Sequence, residues 1–321
     1  MIASDVLSID AANAITAIGE WIRVTVLETL HRRGTVVGLS GGIDSSVCAA
    51  LCVHALGPQR VFGVFMPERD SASDSLRLGR IVAESLGIAA VVEPIGPALT
   101  AAGCYERQNE AIREVFPEYG DGYKCKISMP SVVDSDRLNF AHLIIQSPDG
   151  EIKTSRMTAR AYLKLIAATN YKQRLRKTTE YYHADRLAYA VVGTPNLLEY
   201  DQGFFVKQGD GAADVKPIAH LYKTQVYALA KHLGIPEEVQ LQLPTTDTFS
   251  MPQTQEEFFF SLPYAKMDIC LYGKNHSISP DELAPLLGLE SVQVERVYRD
   301  IDAKRRAARY LHSGPLIFTS Q

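Results

Sequence analysis

Between Gly38 and Ser46 the chain reads GLSGGIDSS, three glycines and three serines around one carboxylate, directly after the apolar pair Val36-Val37. Glycines remove the Cβ atoms that would keep a bulky anion away and reach backbone angles closed to other residues. The freed amides can then converge on an anion, and a following helix adds its positive N-terminal end. Ser40, Ser45 and Ser46 add hydroxyl donors. The whole loop, Gly38, Leu39, Ser40, Gly41, Gly42, Ile43, Asp44, Ser45 and Ser46, is therefore expected to grip a phosphate chain. Asp44 would repel that chain unless a cation lay between them, which points to Mg2+. The spacing is neither GxxxxGK[ST] nor GxGxxG. A plain Gly-rich turn with Asp44 as a helix cap is the simpler alternative, and the density of hydroxyls between a strand and a helix weighs against it.

The elements around this loop must hold it in place. SIDAANAITAIGEWIRVTVLETLHRRG reads as an amphipathic helix, with Ser8 or Asp10 able to cap it and Gly34 to stop it. TVVGLS is a short buried strand, DSSVCAALCVHALG a helix ended by Gly57, and RVFGVFMP a second strand. SASDSLRLGRIVAESLG is a helix with a Gly stop, and IAAVVEPI a third strand. Strand–helix–strand–helix–strand predicts an α/β fold: a Rossmann-like parallel sheet flanked by helices and joined by right-handed crossovers. ERQNEAIREVF looks helical. The stretch from about 116 to 160 then breaks the rhythm with Pro, Gly and Asp punctuation and is expected to be an insertion, with FAHLIIQ and EIKTSRM forming a hairpin around Asp149-Gly150. The α/β pattern resumes with the helix NYKQRLRKTTEYYHADRLA, the strand YAVVGT and the helix LYKTQVYALAKHLG, and the last third reads as helical. One domain spanning 1–321, with a helical C-terminal part, is the organisation these patterns predict.

Of the 321 residues 46% are hydrophobic and 22% charged, with a net charge of -4, as expected of a globular chain with a full core and no nucleic-acid or membrane-surface footprint. Asp5, Asp10, Glu20 and Glu28 interrupt the first thirty residues, so no signal peptide is expected, and no run approaches the roughly 20 apolar residues of a membrane span. Five cysteines, odd in number and without a CxxC pair, favour buried reduced thiols in a cytoplasmic protein.

SGG-x-DSS resembles the pyrophosphate-loop signature of ATP pyrophosphatases, which cleave ATP to AMP and pyrophosphate. A second block narrows the resemblance. From Arg174 to Pro236 the elements GT-x-N-x-x-E, GFF-x-K, GDG-x-AD and LYK-x-Q-V are similar to the core of the NAD synthetase family, ammonia-dependent type, and PTTDTFSMPQTQEE and LPYAKMDICLYG resemble later segments of it. The resemblance covers most of 15–100 and 165–310. It implies an ATP-dependent ligase that adenylates a carboxylate and transfers ammonia to it, converting deamido-NAD to NAD with release of AMP and pyrophosphate.

Carried over residue by residue, the resemblance gives Asp44 and Glu199 the Mg2+, and Thr194, Lys223 and Thr245 contacts to ATP; Asp44 and Lys223 become the catalytic residues. Arg174, Lys207 and Asp214 correspond to deamido-NAD contacts, as does Lys304. Taken alone, Glu199 would pass for a solvated helix residue, Thr194 and Thr245 for a strand-end hydroxyl and a turn cap, and the charged positions for surface salt bridges. Three departures stand out: the insertion at 116–160 is absent from short family members, Ala303 stands where the family has a substrate-facing His, and Lys177 follows Arg176 where the family has Met. They leave room for a related ligase that amidates a different carboxylate, whereas a non-catalytic nucleotide-binding module would be expected to have lost Asp44, Glu199 or Lys223. Residue 2 is Ile, so a glutaminase with an N-terminal catalytic Cys is not expected; ammonia would arrive free or from a separate glutaminase. The family resemblance also implies a homodimer.

Overall fold

A computed structural model of the chain describes residues 5–72, 74–129, 131–133, 141–243, 248–260 and 262–318. Helix α1 (Ala11–Arg23) starts at Asp10, whose carboxylate accepts from the Asn13 amide, so Asp10 rather than Ser8 is the cap. A π-helical turn extends it to Thr29, and the chain turns at His31 with positive φ (51°), so the helix ends before Gly34, earlier than its apolar pattern alone predicts. Strand β1 (Thr35–Gly38) then leads into α2 (Ile43–Leu56), β2 (Val61–Phe65), α3 (Ser75–Leu86) and β3 (Ala89–Val92). Strand β7 (Ala190–Val191) is reached much later in the chain, yet lies directly beside β1, giving the parallel order β3-β2-β1-β7. Val36 is in register with Phe62 on one side and Val191 on the other.

Successive strand residues point to opposite faces. Val37, Val61, Phe65 and Ala190 face a core shared with α1, α2 and α8 (Lys223–His232). Val36, Val64 and Val191 face the opposite side, where Ala184 of the 29-residue helix α6 (Ala159–Leu187) closes a smaller core. Helices on both faces of a parallel sheet are the arrangement the βαβ pattern predicts.

Helices α4 (Gly96–Ala101) and α5 (Cys104–Arg113) lead to a three-stranded antiparallel sheet of order β4-β5-β6, formed by Lys124–Ser128, His142–Gln146 and Ile152–Arg156. The Asp149-Gly150 hairpin is present between β5 and β6. Alternation puts Cys125, Ile127, Leu143 and Ile145 against Ile112, Ala161, Leu165 and Phe249. Helix α6 therefore begins at Ala159, about ten residues before the sequence pattern suggested, because its first turns are covered by this small sheet. Thr158 caps it, accepting from the Ala161 amide. After α7 (Leu197–Gln202), α8 and α9 (Glu237–Leu241), the helices α10 (Tyr264–Asn275), α11 (Pro280–Leu287) and α12 (Ser291–His312) build a fourth apolar cluster around Met267, Leu271, Leu283 and Ile301. All five cysteines are buried free thiols. Among the described residues no helix is long and apolar enough to cross a membrane.

Candidate active site

The sheet order reverses between β1 and β7, since the chain leaves β1 toward β2 on one side and returns on the other. Crevices at such switch points, beyond the carboxyl ends of the strands, are where open α/β sheets bind ligands. Here the loop after β1 faces the residues after β7. Gly41 has φ 79°, and a Cβ on it would lie 2.5 Å from the Ser75 carbonyl oxygen, so both the turn and the close approach of α3 require glycine. Gly42 caps α2 and donates its amide to Ser40 Oγ at 3.2 Å. Ser40 and Ser45 hydroxyls lie 3.2 Å apart, so the loop is pre-shaped by its own side chains.

Asp44 sits in the first turn of α2. Its Oδ1 accepts from Asn196 Nδ2 at 3.2 Å, and its Oδ2 pairs with the ammonium of Lys223, a side chain with no exposure at the start of α8. Burial pulls the Lys223 ammonium down, but the Asp44 and Glu199 carboxylates beside it hold it above its usual range. Lys223 is therefore a cation fixed behind Asp44, 5.2 Å from the Tyr264 ring. Asn196 also caps α7: its side-chain oxygen accepts from the Glu199 amide, and Glu199 Oε2 accepts from the Asn196 amide, both at 3.2 Å. Burial, reinforced by the charge of Asp44, pushes the Glu199 carboxyl up to about 8.

Loop, Glu199 and Thr194 line one cavity of about 910 Å³. Asp44 and Glu199 both line it beside the loop, with Asp74 and Glu180 also on its wall, and among the described residues no group of three or more His, Cys, Asp or Glu is placed to hold a metal ion. A buried carboxyl pushed up to about 8 next to a second carboxylate is a site that a hard divalent cation would relieve, with phosphate oxygens and water completing its shell. The residues present fit such an ion.

The NAD synthase family model matches residues 14–116 and 131–308. The chain belongs to the NAD synthase family. It is 62% identical over 311 residues to an NH(3)-dependent NAD(+) synthetase of Mesorhizobium japonicum, covering 97% of this chain and 98% of that one. With the protein of the same description from Rhizobium meliloti the identity is 58%, over 97% and 93%. With that of Thermotoga maritima it is 36%, over 88% and 92%. In fold, this NAD synthase family member is similar to an NMN synthetase from Francisella tularensis (TM-score 0.68, 21% identity, 98% and 100% of the two chains). It is also similar to an NH3-dependent NAD synthetase from Campylobacter jejuni (TM-score 0.63, 21% identity, 97% and 100%). The match to the model passes over 117–130, within the stretch expected to be inserted.

Within this NAD synthase fold, the residues singled out by sequence are not all brought together. Gly38 through Ser45 line the cavity, whereas the Ser46 side chain is buried outside its lining; like Ser45, it donates to the Gly42 carbonyl, at 2.8 Å. Lys304 reaches the cavity, donating to the Phe259 carbonyl at 2.6 Å and pairing with Asp300 at 2.7 Å; burial pulls its ammonium below the usual range. Ala303 lines it as well. Thr245 lies outside the described residues.

Arg174, Lys207 and Asp214 do not line this cavity. Arg174 is exposed and donates to the Lys207 carbonyl at 3.3 Å, and Lys207 Nζ donates to the Tyr310 carbonyl at 2.8 Å. Asp214 accepts from the Val191 amide at 2.7 Å and from the Tyr181 hydroxyl at 3.2 Å at the sheet edge. Their close neighbours take the cavity instead: Arg176, and the buried pair Lys177–Glu180 at 2.6 Å, whose Glu180 abuts Gly38. The i,i+3 spacing of opposite charges on a helix was the sequence signal for that pair.

Proposed function

We propose that this chain is an ammonia-dependent NAD synthetase, joining ammonia to the carboxylate of deamido-NAD at the expense of ATP. The observation that carries it is Asp44 held between Lys223 and Asn196 at the mouth of the phosphate loop, facing the same cavity as Glu199. Amide formation from a free carboxylate stalls on a poor leaving group. In the first step a carboxylate oxygen attacks the α-phosphorus, and the bond from that phosphorus to the bridging oxygen breaks to release pyrophosphate. In the second, ammonia attacks the acyl carbon, loses a proton, and AMP departs.

The chain's part is positioning and charge. Loop amides from Gly38 to Ser45, with the Ser40 and Ser45 hydroxyls, hold the β- and γ-phosphates, and the N-terminus of α2 adds its partial positive charge. Lys223 pairs with Asp44 and supplies a fixed positive charge close to the developing one. Thr194 at the end of β7, and Thr245, complete the ATP contacts. Asp44 and Glu199 would hold a Mg2+, which when bound neutralises phosphate charge and orients the chain for attack. Arg174, Lys207, Asp214 and Lys304 are assigned to deamido-NAD. All three lie outside the cavity, Arg174 and Asp214 exposed and Lys207 half-buried against Tyr310, which supports a homodimer in which a second chain completes the dinucleotide site. A single domain with 116–160 as an insertion, a cytoplasmic setting for its reduced thiols, and ammonia taken free or from a separate glutaminase complete the reading.

Ala303 on the cavity wall favours one second reading, the same chemistry on a different carboxylate. Incubating the protein with ATP, Mg2+, ammonium and deamido-NAD while measuring pyrophosphate and NAD decides between them. Equal amounts of both products are expected. Pyrophosphate formed only with another acid would establish the second reading, and none with any acid would remove both.

A further inference from the structure

The cavity has two apolar zones. One lies beside the phosphate loop at the carboxyl ends of β1 and β2, with Leu39, Phe65 and Met66. The other lies at the far end of α6. Tyr162, Ile166, Asn170, Gln173, Lys177 and Glu180 all line the cavity from one face of that helix. Glu180 abuts Gly38 of the loop, and from there to Tyr162 the helix rises about 27 Å at roughly 1.5 Å per residue. Around Tyr162 and Ile166 the wall is completed by Met129, just after β4, and by Phe258; all four also pack on the core of the β4–β6 sheet.

That sheet is built into the site rather than hung on its surface. The free edge of β4 is stitched to the segment that carries Phe258: Met251 donates its amide to the Cys125 carbonyl at 3.0 Å, Ser250 Oγ accepts from the Cys125 amide at 2.9 Å, and Gln253 Nε2 donates to the Ile127 carbonyl. Lys126 pairs with Glu257 at 2.6 Å. The sheet thus fixes both Met129 and Phe258.

We propose that the wall of Met129, Tyr162, Ile166 and Phe258 seats the ring of the carboxylate-bearing nucleotide that lies remote from its reacting carboxyl, which makes the β4–β6 sheet an acceptor-specificity element of this chain. The assignment rests on the amide-ligase reading above. The base of ATP is chained to phosphates held at Gly38–Ser45 and has the apolar zone at the strand ends within reach. The distant wall is left for the other ring-bearing substrate, whose contacts must be made without the histidine that Ala303 replaces.

The test compares wild type with Met129→Ala, truncating a half-buried side chain, in steady-state kinetics against deamido-NAD, ATP and ammonium. Loss of apolar contact in a pocket is expected to raise KM for deamido-NAD about tenfold, with KM for ATP and ammonium within about twofold, and Met129→Leu should restore it. Ile166→Ala, on the α6 side, should give the same split and serves if Met129→Ala does not fold. A rise in KM for ATP instead, an equal rise for all three, or no change would overturn the proposal. Wild type that forms no NAD from deamido-NAD would refute the reading beneath it; active wild type with unaltered variants would refute the wall alone.

Discussion

Asn196 ties Asp44 to Glu199: its Nδ2 donates to Asp44 Oδ1, while its side-chain oxygen and backbone amide close a reciprocal pair with Glu199. One residue after β7 thereby fixes the spacing of two carboxylates that lie 155 positions apart in the chain. A helix cap, ordinarily a local stabiliser, here also sets the geometry of the acidic pair.

Asp44→Asn keeps the shape and the bond to Asn196 but removes the charge facing Lys223. Pyrophosphate release should fall by more than about 100-fold, the scale of losing one positioned electrostatic group. Near-normal turnover would take Asp44 out of its proposed role.

Gly41→Ala forces a Cβ onto a residue at φ 79° and 2.5 Å from the Ser75 carbonyl. Left-handed backbone strain costs about 1–2 kcal/mol, and the clash must be relieved by moving the loop or α3. ATP affinity measured by calorimetry should drop while the circular dichroism spectrum is retained. Unchanged affinity would mean that loop geometry does not govern phosphate binding.

Lys172 is a residue the motifs did not mark. It is fully buried on α6, 3.2 Å from Glu68, 2.5 Å from Asp70 and 3.1 Å from the Thr248 carbonyl. Lys172→Ala removes the buried cation shared by two interior carboxylates, leaving Asp70 with Arg69 alone and Glu68 with the Tyr105 hydroxyl and the more distant Arg176, and is expected to cost about 3 kcal/mol in denaturant titrations. A loss under about 1 kcal/mol would show that the cluster relaxes or hydrates freely.

Asp268 supplies the pH dependence. Its Oδ2 accepts from the Thr224 amide at 2.8 Å while Oδ1 is buried without a partner, and burial pushes the carboxyl up to about 6. A carboxyl raised above its unfolded value binds its proton more tightly in the folded chain. The stability it contributes is complete below about pH 4 and lost as pH rises through about 6, up to about 3 kcal/mol. Asp268→Asn should flatten the decline in Tm across that window, and an unaltered profile would remove Asp268 as its source.

The strand-loop-helix unit around Asp44 was legible because every cue in it is local: β-branched residues before the glycines, hydroxyls after, and a Gly stop at Gly57. The same holds for the hairpin at Asp149-Gly150. Helix α6 was read too short, since its first turns gain their stability from a sheet formed by other residues rather than from their own pattern. The long-range pairing of β4 with the 250–253 segment was not legible in either stretch, because one bond joins two backbones and the Ser250 and Gln253 side chains bond backbone groups of β4, which every residue carries.

By itself the sequence determined the parallel-sheet class, the glycine- and serine-rich loop between β1 and α2 and, by resemblance, the family and its ligase chemistry, because these follow from short-range periodicity and from motif spacing. Tertiary structure alone decided that Lys223 stands behind Asp44, that Asn196 joins Asp44 to Glu199, and that Arg176 and Lys177 rather than Arg174 face the cavity. It also placed the β4–β6 sheet in the cavity wall. Those outcomes depend on which distant elements pack together, and packing is settled by the burial of whole faces, a quantity no single stretch of the chain contains.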